Sequence, residues 1–328
     1  MSNVSEYSKL EEESKIYLKC YIDNIVKHST IDLDKMAEPE TYKLFLDKIR
    51  KMEVRADDIW VCSFPKSGTT WTQEMVWCIS NDVNLQSAQE ILPKRFPFLE
   101  FSALNKVSDL VSLFGDEEIP RYLLDSVDYV NNLPSPRFIK THLPFKLLPI
   151  KLQQNTTNTK IIHITRNPRD AAISFYYFAK LFGLKNDFEQ MCEMFFCEDD
   201  SFSFYWDHVL GYWNKRNNQN ILSLKYEDMI KDLRSVINET TRFLGKNLTE
   251  NQIEKLLDHL SFQSMKKNYY VNYDAVIEKR KEQNLISGDT LLVRCGKVGQ
   301  WKEFMSPEMI EKFEKWERTN LAGTGLSF

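Results

Sequence analysis

Four short runs of apolar, β-prone residues punctuate the chain: Ile59–Phe64, Arg137–Lys140, Lys160–Thr165 and Asn220–Lys225. Between and after them the apolar positions take up helical spacing over 69–80, 169–183, 204–217, 229–244 and 250–259. Short apolar strands alternating with helices predict an α/β fold with a central parallel sheet flanked by helices on both faces. Ligands of such sheets gather at the carboxyl ends of the strands. A last amphipathic helix is predicted over 307–320, opened by Ser306-Pro307, a good cap and first-turn pair. Residues 1–50 mix Asp, Glu and Lys with scattered Tyr and Leu, and read as a helical segment laid on a core. No Gly/Ser or Pro linker and no repeat divides the chain, so a single domain over 1–328 is expected. The stretch 263–300 is basic, weakly periodic and carries Gly288, Gly296 and Gly299. It reads as a long functional loop.

Composition narrows the possibilities. With 42% hydrophobic and 27% charged residues in 328, this is an ordinary globular chain with a sizeable core. The 13% of aromatics suits a thick core or an apolar ligand pocket. A formal charge of −4 argues against general nucleic-acid binding, so any anionic ligand needs a local basic cluster. No apolar run approaches the roughly 20 residues that span a bilayer. The polar start Met1–Tyr7 has no signal-peptide pattern, and the cytoplasm is the expected location. Six cysteines show neither CxxC nor metal-ligand spacing and read as buried thiols.

The candidate chemistry begins where the first strand ends. Phe64-Pro65-Lys66-Ser67-Gly68-Thr69-Thr70-Trp71 joins that strand to the first sheet-covering helix. A strand, a small-residue turn and a helix start build an anion site, because the first helical amides lack internal partners and the dipole end is positive. Lys66 adds a cation; Ser67, Thr69 and Thr70 add hydroxyl donors. The loop is P-loop-like without being a Walker A sequence, since Lys66 precedes its only glycine, Gly68. The other strand ends are Lys140, Thr165 and Lys225, not the acid that would hold magnesium for an NTPase. A metal-free anion site fits these residues better.

Three further segments fall at or after the same strand ends. His142, in Lys140-Thr141-His142, can serve as a general base whose pKa a neighbouring cation keeps low. Arg166, in Arg166-Asn167-Pro168-Arg169-Asp170, offers a fork to a phosphate, and Ser174 a hydroxyl one turn inside the next helix. Val293–Gly299 brings more positive charge on flexible backbone.

The loop at 64–71, Lys140-Thr141-His142, Arg166–Asp170 with Ser174, Lys225-Tyr226-Glu227-Asp228 and Arg294–Gly299 stand in the order seen in cytosolic sulfotransferases, and the chain resembles that family, its invertebrate members included. The resemblance implies the donor 3′-phosphoadenosine 5′-phosphosulfate (PAPS), its product adenosine 3′,5′-bisphosphate (PAP), no metal, and a small-molecule hydroxyl acceptor. By that likeness Lys66, Ser67, Gly68, Thr69, Thr70 and Trp71 hold the 5′-phosphosulfate, with Trp71 on the adenine. Arg166, Ser174, Arg294, Cys295 and Gly296 serve the 3′-phosphate. Tyr226, Ser261 and Phe262 line the adenine site. Lys66, Lys140 and His142 are the catalytic set, and Phe98, Lys140, Thr141, His142 and Phe178 face the acceptor. The expected function is sulfonate transfer to a phenol or an apolar, steroid- or retinoid-like alcohol. The alternatives are a non-catalytic ligand-binding member and a magnesium-dependent small-molecule kinase. Sulfonation followed by elimination is a further outcome.

Three departures from the family pattern bear on this. Its late loop reads Arg-Lys-Gly, against Arg294-Cys295-Gly296 here. Its Thr before Ser-Phe is Leu260. Its dimer segment K-x-x-x-T-V-x-x-x-E is matched only by Lys302, Ser306-Pro307 and Glu311. Proline gives no backbone amide to a partner, so a monomer or weak homodimer is expected. The segment between Leu99 and Pro136 reads as a lid over the acceptor pocket, with 105–118 the stretch whose deletion should alter acceptor KM and leave donor binding intact.

Overall fold

Strands β1 (Ile59–Ser63), β2 (Phe138–Thr141), β3 (Lys160–Thr165) and β4 (Ile221–Lys225) pair in the order β2-β1-β3-β4, every pair parallel. They agree with the predicted runs to within one residue at each end. The structure is a computed structural model that describes residues 39–104, 110–111, 114, 118–181, 187–196, 204–272, 274–282 and 295–328. The two-residue period of a strand sends alternate side chains into two layers. Trp60, Ile139, Ile161 and Ile221 join one core cluster, and Val61, Phe138, Ile162 and Leu222 the other. Both faces are apolar because helices cover both.

The helices that matter for the site are α1 (Pro39–Lys51), α2 (Thr69–Ser80), α3 (Pro168–Leu181), α4 (Phe204–Trp213), α5 (Tyr226–Lys231), α6 (Leu233–Phe243), α7 (Glu250–His259), α8 (Phe262–Lys267) and α9 (Pro307–Leu321). α1 buries Leu46 and Ile49 against the layer that holds Trp60. α2 and α7 occupy their predicted spans. The single helix expected over 229–244 is two, α5 and α6, broken at Asp232, whose carboxylate accepts from the Ser235 amide and starts α6. Aspartate satisfies an uncapped amide better than it continues a helix. α4 stops at Trp213 rather than 217, because the polar run after it favours turns.

The stretch 263–300, expected as one long loop, carries α8 and a further helix, Asp274–Glu282. Ser261 opens α8 by accepting from the Ser264 amide. Residues 1–38, most of the 105–118 stretch of the expected lid, and Arg294 lie outside the described residues. No helix among the described residues is long and apolar enough to cross a membrane.

The sheet order also sets where a ligand can sit. β1 has β2 on one side and β3 on the other, so the chain crosses in opposite directions from its carboxyl end. A crevice opens at such a switch point. The loops after β1, β2 and β3 therefore meet there.

Candidate active site

β1 turns through Phe64–Gly68 into α2. Two residues of this loop take left-handed backbone, Lys66 at φ 67° and Gly68 at φ 102°. Glycine is required at 68, since an added Cβ would lie 2.7 Å from Tyr226 Cδ2. No side chain caps α2 at Gly68, so the first amides of that helix remain as donors for an anion. Ser67 is fully buried and its Oγ has no hydrogen-bond partner among the described residues. Such a desolvated donor is costly unless a ligand oxygen meets it. Thr69 Oγ1 lies 2.6 Å from Ser63 Oγ, and Thr70 is half-buried one residue on. Lys66 Nζ stands 4.5 Å above the ring of Phe178, a residue of α3.

An aromatic wall rises beside the loop. Trp71 donates Nε1 to the Leu260 carbonyl oxygen at 2.9 Å, and its ring centroid is 5.8 Å from that of Tyr226. The contact is made by the backbone of Leu260, so the missing threonine hydroxyl plays no part in it. Gly296, at φ 63°, packs so closely on Phe262 that a Cβ would overlap the ring. The Arg166 guanidinium lies 4.2 Å over the Tyr226 ring and donates Nη1 to Lys66 O and Nη2 to Lys297 O, both at 3.2 Å. It thereby ties the loop after β1 to the late loop. Its Nε is buried without a partner among the described residues. Two further bonds fix these turns: Gly299 N donates to Asp170 Oδ2 at 2.7 Å, and Asn167 N to Glu227 Oε1 at 2.8 Å. Gln300 Nε2 donates to Cys295 Sγ at 2.9 Å, and Ser174 is half-buried in the second turn of α3. Arg294 lies outside the described residues, and among those described the loop after β1, Arg166, Tyr226 and the late loop at 296–299 thus meet. Their aromatic faces, orphaned donors and glycine-made spaces fit a nucleotide carrying anionic groups at both ends.

The residues expected to face the acceptor are positioned by the register of β2 on β1. Lys140 pairs with Val61 and Thr141 with Cys62, which sets His142 beside Ser63. The ring nitrogen Nδ1 of His142 lies 2.7 Å from the Ser63 carbonyl oxygen. A carbonyl oxygen only accepts, so Nδ1 carries the proton and Nε2 is the basic nitrogen. Burial, and then the Lys140 ammonium, push the His142 pKa well below its ordinary value, so the ring is neutral at neutral pH. The neighbouring cation was expected to be the cause; burial is the larger one.

Burial lowers Lys140 to about 8, against the upward pull of Glu100. Its Nζ sits 4.3 Å over Phe98, whose ring is 5.1 Å from that of His142. The Thr141 hydroxyl is fully buried and accepts from the Leu143 amide at 3.1 Å. Two contributors escaped the sequence reading. Ser63 looked like an ordinary strand end, and Glu100 stands 42 residues from the His142 amide that it binds. No local pattern marks either.

Metal-type ligands also meet at one place that sequence spacing did not show. Side-chain atoms of Glu74, Cys78 and His259 lie within 4.8 Å of one another. Arg95 and His259 already occupy the two oxygens of Glu74, and burial pushes the Cys78 thiol up. The trio is a buried polar tie between α2 and α7.

The chain is similar to known proteins in sequence and in fold. The family model for the sulfotransferase domain matches residues 56–325. Luciferin sulfotransferase of Photinus pyralis is 42% identical over 286 residues, covering 87% of this chain and 77% of that protein. Sulfotransferase 1 family member D1 of Rattus norvegicus is 34% identical, covering 82% of this chain and 84% of its own. The crystal structure of retinol dehydratase in complex with retinol and PAP aligns with a TM-score of 0.75 at 32% identity, over 87% of this chain and 88% of that one. With the domain matched from before β1 to beyond α9, the chain belongs to the sulfotransferase family and is a PAPS-dependent sulfotransferase.

Proposed function

We propose that His142 is the general base for sulfonate transfer to the hydroxyl of a small phenol or apolar alcohol. The observation that carries this is the contact of Nδ1 with the Ser63 carbonyl, which leaves a neutral imidazole with Nε2 as its basic atom. Bound PAPS supplies the sulfonate and a phosphate leaving group. Nε2 accepts the proton of the acceptor hydroxyl as that oxygen becomes the nucleophile. Lys66 and Lys140 neutralise the charge that builds during an in-line displacement. Phe98 and Phe178, each under a lysine ammonium, make the apolar walls of the acceptor side. Relatives named for luciferin and retinol support this substrate class.

A monomer or weak homodimer in the cytoplasm belongs to the same reading. Ser306 caps α9 and Pro307 is its first residue, which has no backbone amide to offer a partner chain.

The test is a panel of phenols, catechols, steroids, retinol and amines with labelled donor, run on the wild type and on His142→Ala. Transfer should vanish in the variant while PAP binding survives. Full turnover in His142→Ala would remove the assignment of the base. Mass spectrometry of the products separates a sulfonated acceptor from a dehydrated one. PAP binding with no acceptor turned over would favour a non-catalytic binding protein.

A further inference from the structure

Glu100 is 3% exposed and sits at the end of a segment that runs along β2. Phe98 bridges to Lys140, Lys140 N donates to Pro97 O, and Leu99 N donates to Lys140 O, each bond at 2.9 Å. The fastening brings Glu100 Oε1 to 2.7 Å from the His142 amide, from which it accepts. The same carboxylate acts electrostatically on the Lys140 ammonium. One buried side chain therefore holds the His142 end of the segment Lys140-Thr141-His142 by a hydrogen bond and acts on the Lys140 end through its charge.

We propose that Glu100 is a positioning residue for sulfonate transfer, its carboxyl oxygen fixing the backbone that carries His142 and its charge balancing that of Lys140. The proposal rests on His142 being the base. A buried carboxylate is costly without partners, and these two partners are the groups that the reaction needs in place. The hydrogen bond sets the backbone at His142, and with it the reach of the ring to Ser63. A misplacement of about 1 Å at a reacting group is enough to slow an enzyme by about a hundredfold.

The charges around Glu100 fix the sign of the pH response. Burial raises its carboxyl to about 7, against the downward pull of the His142 amide, the Thr141 hydroxyl and the Lys140 ammonium. From β1, Cys62 feels its charge, and Lys66 and His208 act electrostatically on His142. An ionised Glu100 holds Lys140 protonated to higher pH. Removing that negative neighbour lowers the pKa of Lys140, so the charge needed for turnover is lost at lower pH. Protonating Glu100 in acid leaves its carbonyl oxygen available to the His142 amide, so the positioning bond persists there.

The experiment compares wild type, Glu100→Gln, Glu100→Ala and His142→Ala by kcat, acceptor KM, PAP affinity, melting temperature and pH profile, with an aliphatic alcohol as acceptor. Glu100→Ala should lose about tenfold or more in kcat, with PAP affinity held within about twofold. Glu100→Gln keeps an acceptor oxygen and should recover most of kcat near neutrality, while its alkaline limb moves down by about half a pH unit or more. A folded Glu100→Ala with wild-type kcat, a Gln variant no faster than the Ala variant, or a Gln profile that superimposes on wild type overturns the proposal. Where Glu100→Ala does not fold, the Gln profile decides alone. An active His142→Ala defeats the reading of the base. An inactive His142→Ala beside unaffected Glu100 variants defeats only the role of Glu100.

Discussion

Arg166 reaches from the end of β3 to the Lys66 carbonyl oxygen, 3.2 Å away, while its second arm holds the Lys297 carbonyl of the late loop. The flat face of the same guanidinium rests on Tyr226. A lysine keeps the charge but has neither the fork nor the planar stack. Arg166→Lys should weaken PAP by about tenfold or more in calorimetry, an effect of about 1.4 kcal/mol. Turnover at saturating donor should change less than affinity does. Unaltered PAP affinity would mean that this cross-link does not shape the donor site.

The pH profile separates His142 from Lys140. Because burial keeps His142 neutral, activity on an aliphatic alcohol should stay level from about pH 7 to about pH 6, where an ordinary imidazole loses its basic form. Lys140 is cationic below its lowered pKa of about 8 and loses the charge as pH rises through it, so activity should fall on that side. Lys140→Met should be about tenfold slower or worse and should lack the alkaline limb. An acidic inflection near the ordinary imidazole value in the wild-type profile would contradict a buried neutral base.

Gly296 and Gly245 share left-handed backbone, at φ 63° and 70°, but differ in surroundings. A methyl at 296 meets the Phe262 ring; one at 245 meets nothing within 4 Å. Both alanine variants should lose about 1 kcal/mol of stability from backbone strain. Only Gly296→Ala should also weaken PAP, read by titration against the Gly245→Ala control. Equal PAP affinities would show that the packing of Phe262 on the late loop is irrelevant to the donor.

His208 is buried against Phe64 and Tyr212, and neither ring nitrogen has a hydrogen-bond partner among the described residues. Burial lowers its pKa to about 3. The unfolded chain then binds a proton that the folded chain refuses, so stability is full above the unfolded value. It falls with pH by about 1.4 kcal/mol per unit, from about pH 6.5 toward pH 3. His208→Phe should flatten that part of the acid-denaturation curve measured by urea melts. An unchanged slope would assign the acid sensitivity to other groups.

The strand–turn–helix loop at 64–71 was legible in the sequence. Lys66, Ser67, Gly68, Thr69, Thr70 and Trp71 are contiguous, and the chemistry of a strand–turn–helix anion site is local. Helix ends were less legible: Asp232 splits one predicted helix in two because a carboxylate competes for the amides of a new helix start. Along 263–300 the weak periodicity concealed α8 and the helix at Asp274–Glu282. Trp71 donates to the backbone carbonyl of Leu260, a contact that does not depend on which side chain stands there and so left no mark in the sequence.

The alternation of short apolar strands with helices, and the order of the basic motifs along the chain, determined the layered α/β fold and the donor loop. They could do so because side-chain period and helix-end polarity are properties of neighbouring residues. The tautomer of His142, the cause of its low pKa, its partner Glu100 and the double grip of Arg166 were decided only by tertiary structure. Each depends on groups brought together through space by the parallel register of β2 and β3 on β1, and on the exclusion of water from between them.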